Sequence, residues 1–153
     1  LPNTNVVAID ISVSALQVAK QNAELNSLQD RIELKHFDIM KDDLNSLGKF
    51  DLIVSNPPYV SVNDFESLEP ELKVHEPRIA LTDNSNGISF YKRIIEVSDQ
   101  ILDKHGKIYF ELGMGQSMQV KNLFEQNGFK NILMTKDYSG IDRIICGEIK
   151  WEH

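Results

Sequence analysis

The tetrapeptide with the clearest chemical potential is Asn56-Pro57-Pro58-Tyr59, which directly follows the apolar run 50–55. Each proline fixes its own φ at about −65° and pushes the residue before it into an extended conformation, so Asn56 and Pro57 are both predicted to be extended. Neither proline has a backbone N–H that competes for the carbonyl groups of this turn. The Asn56 side-chain oxygen and the Pro57 carbonyl are therefore predicted to be preset acceptors that hold both hydrogens of an –NH2 group.

Such a pair of acceptors suits a reaction at an amide or aromatic amine nitrogen. The lone pair of that nitrogen is delocalised, and holding its hydrogens while excluding water directs the lone pair at an electrophilic methyl group. No general base is required, because the proton becomes acidic once the methyl group has been transferred. Tyr59 would supply a wall or a stacking face beside the nitrogen. The alternative is a plain strand-ending turn, which any Pro-Pro pair can form.

Two carboxylates end apolar runs earlier in the chain. Asp10 follows "VVAI" and precedes the helical stretch "ISVSALQVAK", so it stands at a strand tip, where a carboxylate can accept hydrogen bonds from both hydroxyls of a ribose. The alternative is that Asp10 caps the next helix or turn. Asp38 lies between Phe37 and Ile39, and a carboxylate beside an apolar side chain suits adenine with its exocyclic amine. The alternative is that Asp38 only opens the acidic loop "DIMKDD".

These residues need parallel strands whose carboxyl ends meet at one edge, and the periodicity of the chain predicts such strands. We predict strands at 5–10, 31–37, 50–56 and 106–112, a closing hairpin at 131–137 and 143–149, and helices at 14–26, 88–102 and 116–127. This alternation predicts an α/β fold with a mainly parallel sheet, flanking helices and an antiparallel end.

Composition narrows the class of protein. A length of 153 residues predicts one domain, over 1–150, with 151–153 as a tail that includes part of an expression tag. The net charge of −7 argues against a direct nucleic-acid partner, and no apolar run approaches the roughly 20 residues of a membrane helix. The single cysteine, Cys146, fits a reducing compartment, so we expect a cytoplasmic protein. The histidines lack the spacing of metal ligands, so no metal site is predicted.

In their order and spacing, "AIDIS", "FD" and "NPPYV" resemble motifs of S-adenosylmethionine-dependent methyltransferases that act on amide or exocyclic nitrogens. The segment "HEPRIALTDNSNGISFYKRII" at 75–95 and the closing stretch "IYFELGMGQSMQVKNLFEQNGFKNILMTKDYSGIDRII" resemble the release-factor glutamine methyltransferase family. The resemblance runs from about Val6 to Ile149. It implies a Rossmann-like class I methyltransferase sheet with an antiparallel C-terminal hairpin.

The same resemblance implies an activity, namely transfer of a methyl group from S-adenosylmethionine to the side-chain amide nitrogen N5 of a glutamine. That glutamine would belong to the Gly-Gly-Gln loop of a peptide chain release factor. The implied catalytic residues are Asn56, Pro57 and Tyr59, and together with Pro58 they would hold the glutamine amide.

The resemblance also assigns a cofactor site. Asp10 would hold the cofactor ribose, Asp38 and Ile39 would contact the adenine, and Asn56 would border the cofactor. Glu76 and Arg78 would shape the mouth of the pocket, although a surface ion pair is the alternative for Arg78.

One departure from the family pattern concerns a strand and a glycine-rich loop that should precede Val6. None of the eight glycines lies before Gly48, so we expect this chain to be a fragment that lacks its first strand and is inactive or weakly binding alone. That strand would lie between the strands ending at Asp10 and Asn56. We expect the chain either to self-associate through the vacant strand position or to close these two strands up directly, because unpaired strand edges are costly.

Two other functions are alternatives that parts of the sequence fit. An adenine-N6 DNA methyltransferase shares the tetrapeptide at 56–59, but it would need a region with basic and aromatic residues to hold a flipped base, and none is evident. A non-catalytic methyltransferase-like module that binds a partner would also fit a truncated domain.

Overall fold

A computed structural model describes residues 3–150 of the chain, so the predicted tail at 151–153 lies outside the described residues. The chain divides into two compact units, Leu1–Leu47 and Gly48–His153. The assignment of 1–150 to one domain stays a prediction.

The first unit consists of two parallel strands joined by a helix. Strand β1 (Val6–Asp10) pairs with β2 (Ile32–His36), and helix α1 (Val13–Leu25) connects them. The helix begins where the Ser12 Oγ accepts a hydrogen bond from the Ala15 N–H at 3.2 Å. A short 3-10 helix at Leu44–Leu47 closes the unit. Because the strands are parallel, the residues after β1 and after β2 lie at the same edge of the sheet.

The second unit is a four-stranded mixed sheet with five helices. Its strands are β3 (Phe50–Ser55), β4 (Leu102–Glu111), β5 (Phe129–Lys136) and β6 (Asp142–Ile149), in the order β3-β4-β6-β5. Its helices are α2 (Val62–Ser67), α3 (Pro70–His75), α4 (Arg78–Leu81), α5 (Ser89–Ile101) and α6 (Ser117–Gln126). β3 pairs with β4 in parallel, whereas β6 is antiparallel to both β4 and β5. The predicted α/β class and the antiparallel end are therefore confirmed.

A row of aromatic rings forms the centre of the second unit. Tyr91, Phe110, Phe124 and Phe129 meet edge to face, with ring centroids 5.2, 5.8 and 4.8 Å apart in sequence order. All four side chains are buried. The chain makes room for them at Gly147 on β6, because a Cβ there would overlap the ring of Phe124. The packing of α5 and α6 on the sheet therefore depends on this aromatic row.

Two features differ from the predictions. β4 begins at Leu102 rather than at residue 106, because Leu102 already pairs with Phe50 before the register shifts and Leu52 pairs with Lys107. Helices α2, α3 and α4 were not predicted, because segments of four to six residues are too short to show a helical period.

The expectation that the strands ending at Asp10 and Asn56 close up directly is wrong. Within residues 3–150, β1 has β2 as its only ladder partner, and β3 has β4 as its only ladder partner. Self-association through the vacant strand position stays a prediction.

The start of α5 is fixed by a carboxylate that lies outside the helix. Asp83 Oδ2 accepts from the Ser89 N–H at 3.0 Å, and Oδ1 accepts from the N–H groups of Ser85 at 2.8 Å and Gly87 at 3.0 Å. Partial burial by itself would raise the pKa of Asp83, but the hydrogen bonds from Ser89, Gly87 and Ser85 outweigh it and hold the pKa below its ordinary value. The carboxylate form therefore stabilises the fold.

We expect the stabilisation by Asp83 to depend on pH. Because the pKa is lower in the folded chain than in the unfolded chain, the contribution is fully present above the ordinary value of 3.8 and is lost as pH falls through the lowered value. Urea unfolding should show that the free energy of unfolding of wild type exceeds that of Asp83→Asn by a constant amount near neutral pH. This difference should become smaller in acid. The control is Asp51→Asn, an exposed carboxylate without a hydrogen-bond partner in the described part of the chain. An equal difference in the free energy of unfolding at every pH would contradict the role assigned to the charge of the Asp83 carboxylate.

Replacing Gly147 should destabilise the second unit through Phe124. We expect Gly147→Ala to lower the free energy of unfolding by about 1–3 kcal/mol, because the added methyl group overpacks the core. In a Phe124→Leu background the same change should cost less, because the overlapping ring is absent. Chemical denaturation of the four chains measures this coupling. Equal costs of Gly147→Ala in both backgrounds would show that the ring is not the constraint.

Candidate active site

Asp10 ends β1 with one carboxylate oxygen engaged and the other available. Oδ1 accepts a hydrogen bond from the Ser12 N–H at 2.7 Å, which forms a turn just before α1. Among residues 3–150, Oδ2 has no hydrogen-bond partner, and the residue is exposed. The alternative role as a turn residue is therefore observed, and it leaves an acceptor oxygen for a ligand hydroxyl.

Asp38 is more strongly engaged by the chain. Its Oδ1 accepts from the Met40 N–H at 2.9 Å, and its Oδ2 pairs with the Lys41 Nζ at 2.9 Å. The hydrogen bond from Lys41 is the main reason why the pKa of Asp38 lies below its ordinary value. Asp38 also opens its loop by donating its N–H to Asp42 Oδ2 at 2.8 Å. The alternative reading of Asp38 as a loop-opening residue is thus observed, and its carboxylate stays ionised.

Asp10 and Asp38 lie at the same edge of the first unit. The Phe37 N–H, next to Asp38, donates to the Asp10 carbonyl at 3.0 Å, so the two strand ends are joined directly. Phe37 is buried and Ile39 is half-buried beside it. The unit thus brings two carboxylates and an apolar side chain to one edge, as the sequence predicted.

In the second unit, Asn56-Pro57-Pro58-Tyr59 follows β3 as predicted. Pro57 is buried, Pro58 and Tyr59 are half-buried, and Asn56 is exposed. Neither the Asn56 side chain nor the Pro57 carbonyl has a hydrogen-bond partner in the described part of the chain. Neither predicted acceptor is therefore engaged by the described part of the chain.

The segment after the tetrapeptide is anchored by the loop before α5. The Val60 N–H donates to the Leu81 carbonyl at 2.9 Å, and Val60 forms a parallel bridge with Thr82, which is buried. Two residues later, the Val62 N–H donates to the Ser85 carbonyl at 2.9 Å. The turn is therefore held on its C-terminal side by residues 81–85.

Three residues that the sequence analysis missed lie against Tyr59. A Cβ at Gly87 would overlap the Tyr59 carbonyl oxygen, and a Cβ at Gly113 would lie 2.8 Å from the Tyr59 ring carbon Cδ2. The third residue is Gln116, whose Nε2 donates to the Tyr59 carbonyl at 2.8 Å. The only sequence signal for this arrangement was the pair of glycines, each in a segment far from the tetrapeptide.

Tyr91 fixes the end of β4 near the same turn. Its hydroxyl donates to the Glu111 carbonyl at 2.8 Å, and the side chain is fully buried. Burial is the main reason why the pKa of Tyr91 is raised, so the hydroxyl stays protonated and remains a donor.

Arg78 begins α4, and Glu76 caps the C-terminal end of α3. The predicted alternative of a surface ion pair for Arg78 is wrong in the part of the chain described. Its guanidinium instead lies 4.4 Å from the Phe65 ring centroid, and its Nε donates to Asn84 Oδ1 at 3.0 Å. Glu76 ends α3 and is exposed. A role of either residue at a pocket mouth stays a prediction.

The described residues show neither a metal-binding cluster nor a membrane-spanning helix. Across 3–150, no group of three or more His, Cys, Asp or Glu side chains is placed to hold a metal ion. None of the helices in that range is long and apolar enough to cross a membrane.

Comparison with known proteins identifies relatives along nearly the whole chain. Residues 1–73 match the family model described as the Methyltransferase small domain. The release factor glutamine methyltransferase of Clostridium botulinum is 37% identical over 145 residues, which cover 95% of this chain and 51% of that protein. The protein of the same name from Fusobacterium nucleatum is 39% identical, with 97% of this chain and 41% of that protein covered.

Solved structures support the fold. A methyltransferase from Pyrococcus furiosus matches with a TM-score of 0.66 at 19% identity, covering 95% of this chain and 63% of that one. An S-adenosylmethionine-dependent O-methyltransferase from Thermotoga maritima also matches with a TM-score of 0.66, at 11% identity, covering 97% of this chain and 51% of that one. These likenesses confirm the Rossmann-like methyltransferase fold.

The chain spans about half the length of several of the curated relatives that it matches. The fold and the relatives agree with the predicted resemblance, as does the tetrapeptide at 56–59 with its unengaged acceptors. The resemblance is therefore confirmed: by sequence, this chain is a relative of the release factor glutamine methyltransferases.

Proposed function

We propose that this chain forms the catalytic part of an enzyme that methylates the side-chain amide nitrogen N5 of a glutamine in a peptide chain release factor. The observation that carries the proposal is the pair of unengaged acceptors at Asn56 and Pro57, in a turn that its surroundings hold firmly. The names of the curated relatives support a release factor as the substrate. A glutamine of its Gly-Gly-Gln loop is the target, and a cytoplasmic location follows from that substrate.

The chain's own contribution to the reaction is to orient the amide. The Asn56 Oδ1 and the Pro57 carbonyl accept one hydrogen each from the glutamine –NH2, and Pro58 keeps the turn extended. In this proposal Tyr59, which packs against Gly87 and Gly113, covers one side of the nitrogen. The nitrogen lone pair is then held in the direction of attack, which accounts for the rate gain by positioning alone. The displaced amide proton passes to solvent.

The cofactor implied by the family fits the edge of the first unit. Asp10 Oδ2 is available for the ribose hydroxyls, and Asp38 and Ile39 provide an ionised carboxylate and an apolar side chain for the adenine. When bound, S-adenosylmethionine supplies a methyl group on a positively charged sulfur, so that an N–C bond forms as the S–C bond breaks.

Removing the Asn56 side chain should abolish most of the methyl transfer. We expect Asn56→Ala to lower kcat/KM for a release factor by about 10²-fold or more, because the amide loses one of its two orienting acceptors. The assay uses the enzyme of which this chain forms the catalytic part and follows incorporation of a labelled methyl group into the release factor. The matched control is Asn63→Ala, an exposed asparagine on α2.

Equal transfer by Asn56→Ala and wild type would contradict the assigned role of Asn56. Absence of transfer by wild type, together with binding of the release factor, would favour a non-catalytic binding module. Transfer to adenine in DNA instead of glutamine would favour the rival enzyme class.

Neutralising Asp10 should weaken cofactor binding. A hydrogen bond to a charged group contributes about 1.5–3 kcal/mol, so Asp10→Asn is expected to raise the Kd for S-adenosylmethionine about tenfold or more. Calorimetric titration measures this change, with Asp30→Asn as the control at an exposed acid in the same unit. An unchanged Kd in Asp10→Asn would remove Asp10 from the cofactor site.

A further inference from the structure

The side chain of Gln116 joins three separate segments of the second unit. Its Oε1 accepts from the Gly113 N–H at 3.1 Å, and its Nε2 donates to the carbonyls of Tyr59 at 2.8 Å and Gly87 at 3.3 Å. Both amide hydrogens and the amide oxygen are therefore used, and all three bonds are partly buried. Gln116 stands at the start of α6, but its side chain makes no capping bond to that helix. Its side chain serves the turn rather than its own helix.

The turn at 56–59 needs such an external contact. Pro57 and Pro58 have no N–H, so two of its residues cannot donate to neighbouring backbone. On the N-terminal side, Ser55 is held in the sheet by pairing with Phe110 on β4. At its last residue, the Tyr59 carbonyl is held by Gln116. The acceptors at Asn56 and Pro57 thus lie between two fixed points, one from the sheet and one from a side-chain amide.

The backbone of Gly87 and Gly113 packs closely against the side-chain amide of Gln116. A Cβ at Gly87 would lie 2.8 Å from Gln116 Nε2, and one at Gly113 would lie 2.6 Å from Gln116 Oε1. The surrounding backbone therefore fits around this side chain. A carboxylate at position 116 would keep the size but would place a negative oxygen against two carbonyl oxygens.

We propose that Gln116 is a positioning residue. It holds the Tyr59 carbonyl and thereby fixes the position of Asn56 and Pro57, the two acceptors of the substrate amide. This inference rests on the proposed function. Gln116 itself contacts neither substrate nor cofactor in this scheme, because its polar atoms are all bonded to backbone groups of the chain. It acts through the position of Tyr59.

The first test compares Gln116→Glu with Gln119→Glu, the same change at an exposed residue of α6. Gln116→Glu should lower kcat for methylation of a release factor about tenfold or more and raise KM for that factor. The Kd for S-adenosylmethionine should stay unchanged, because the proposed cofactor residues Asp10 and Asp38 lie in the first unit. Gln119→Glu should match wild type in all three quantities.

A pH profile separates positioning from a general loss of structure. A protonated glutamic acid can donate to the Tyr59 carbonyl and accept from the Gly113 N–H, so it reproduces two of the three bonds. The activity of Gln116→Glu relative to wild type should therefore rise as the pH is lowered from about 8 to about 6, because the adjacent carbonyl oxygens favour the protonated form. A relative activity that does not change with pH would overturn the inference.

A second variant covers the case in which Gln116→Glu fails to fold. Gln116→Met keeps a side chain of similar length without hydrogen bonds and introduces no charge. It should bind S-adenosylmethionine like wild type and show the same fall in kcat. Wild-type kcat in Gln116→Met would overturn the inference, whereas wild-type protein that methylates no release factor would overturn the proposed function instead.

Discussion

The missing N–H groups of Pro57 and Pro58 are the constraint on which the second unit depends. A turn that lacks two donors in succession cannot be secured by its own backbone, so neighbouring segments must secure it. The β3–β4 ladder holds one end, the bridge from Val60 to Thr82 holds the other, and Gln116 joins the turn to the end of β4. These contacts come from segments far apart in sequence. The free acceptors of the turn exist only because the rest of the unit keeps their geometry.

Each of the two units combines an engaged acceptor oxygen with a nearby acceptor that has no partner in the described part of the chain. In the first unit, Asp10 uses one oxygen to form a turn and leaves the other without a partner. In the second unit, the acceptors at Asn56 and Pro57 stay open while the Tyr59 carbonyl beside them is engaged. In each unit, one hydrogen bond fixes the local geometry, and a neighbouring acceptor is left for a ligand. Buried polar groups without partners would be costly, and the side chains of Asp10 and Asn56 avoid that cost because both residues are exposed.

Local rules were enough to predict part of the structure. The alternation of β-branched runs and helical periods predicted every strand within a few residues, and the fixed φ of proline predicted the open acceptors. The contacts of Gln116 could not be predicted, because they join residues 57 and 29 positions apart. A surface ion pair was the alternative for Arg78 because charge is visible in a sequence, whereas the Phe65 ring that it covers is brought near only by folding. Long-range packing, rather than local preference, decided each of these cases.

The glycine at position 87 limits how this fold can diverge. Its φ of 79° disfavours any other residue, and its missing Cβ leaves space for the Tyr59 carbonyl. Backbone conformation and available volume thus exclude a side chain independently, so no single compensating change elsewhere would restore tolerance. The exposed Met114 is under no such double restriction. Descendants of this sequence would therefore vary at exposed positions such as Met114, while Gly87 stays fixed.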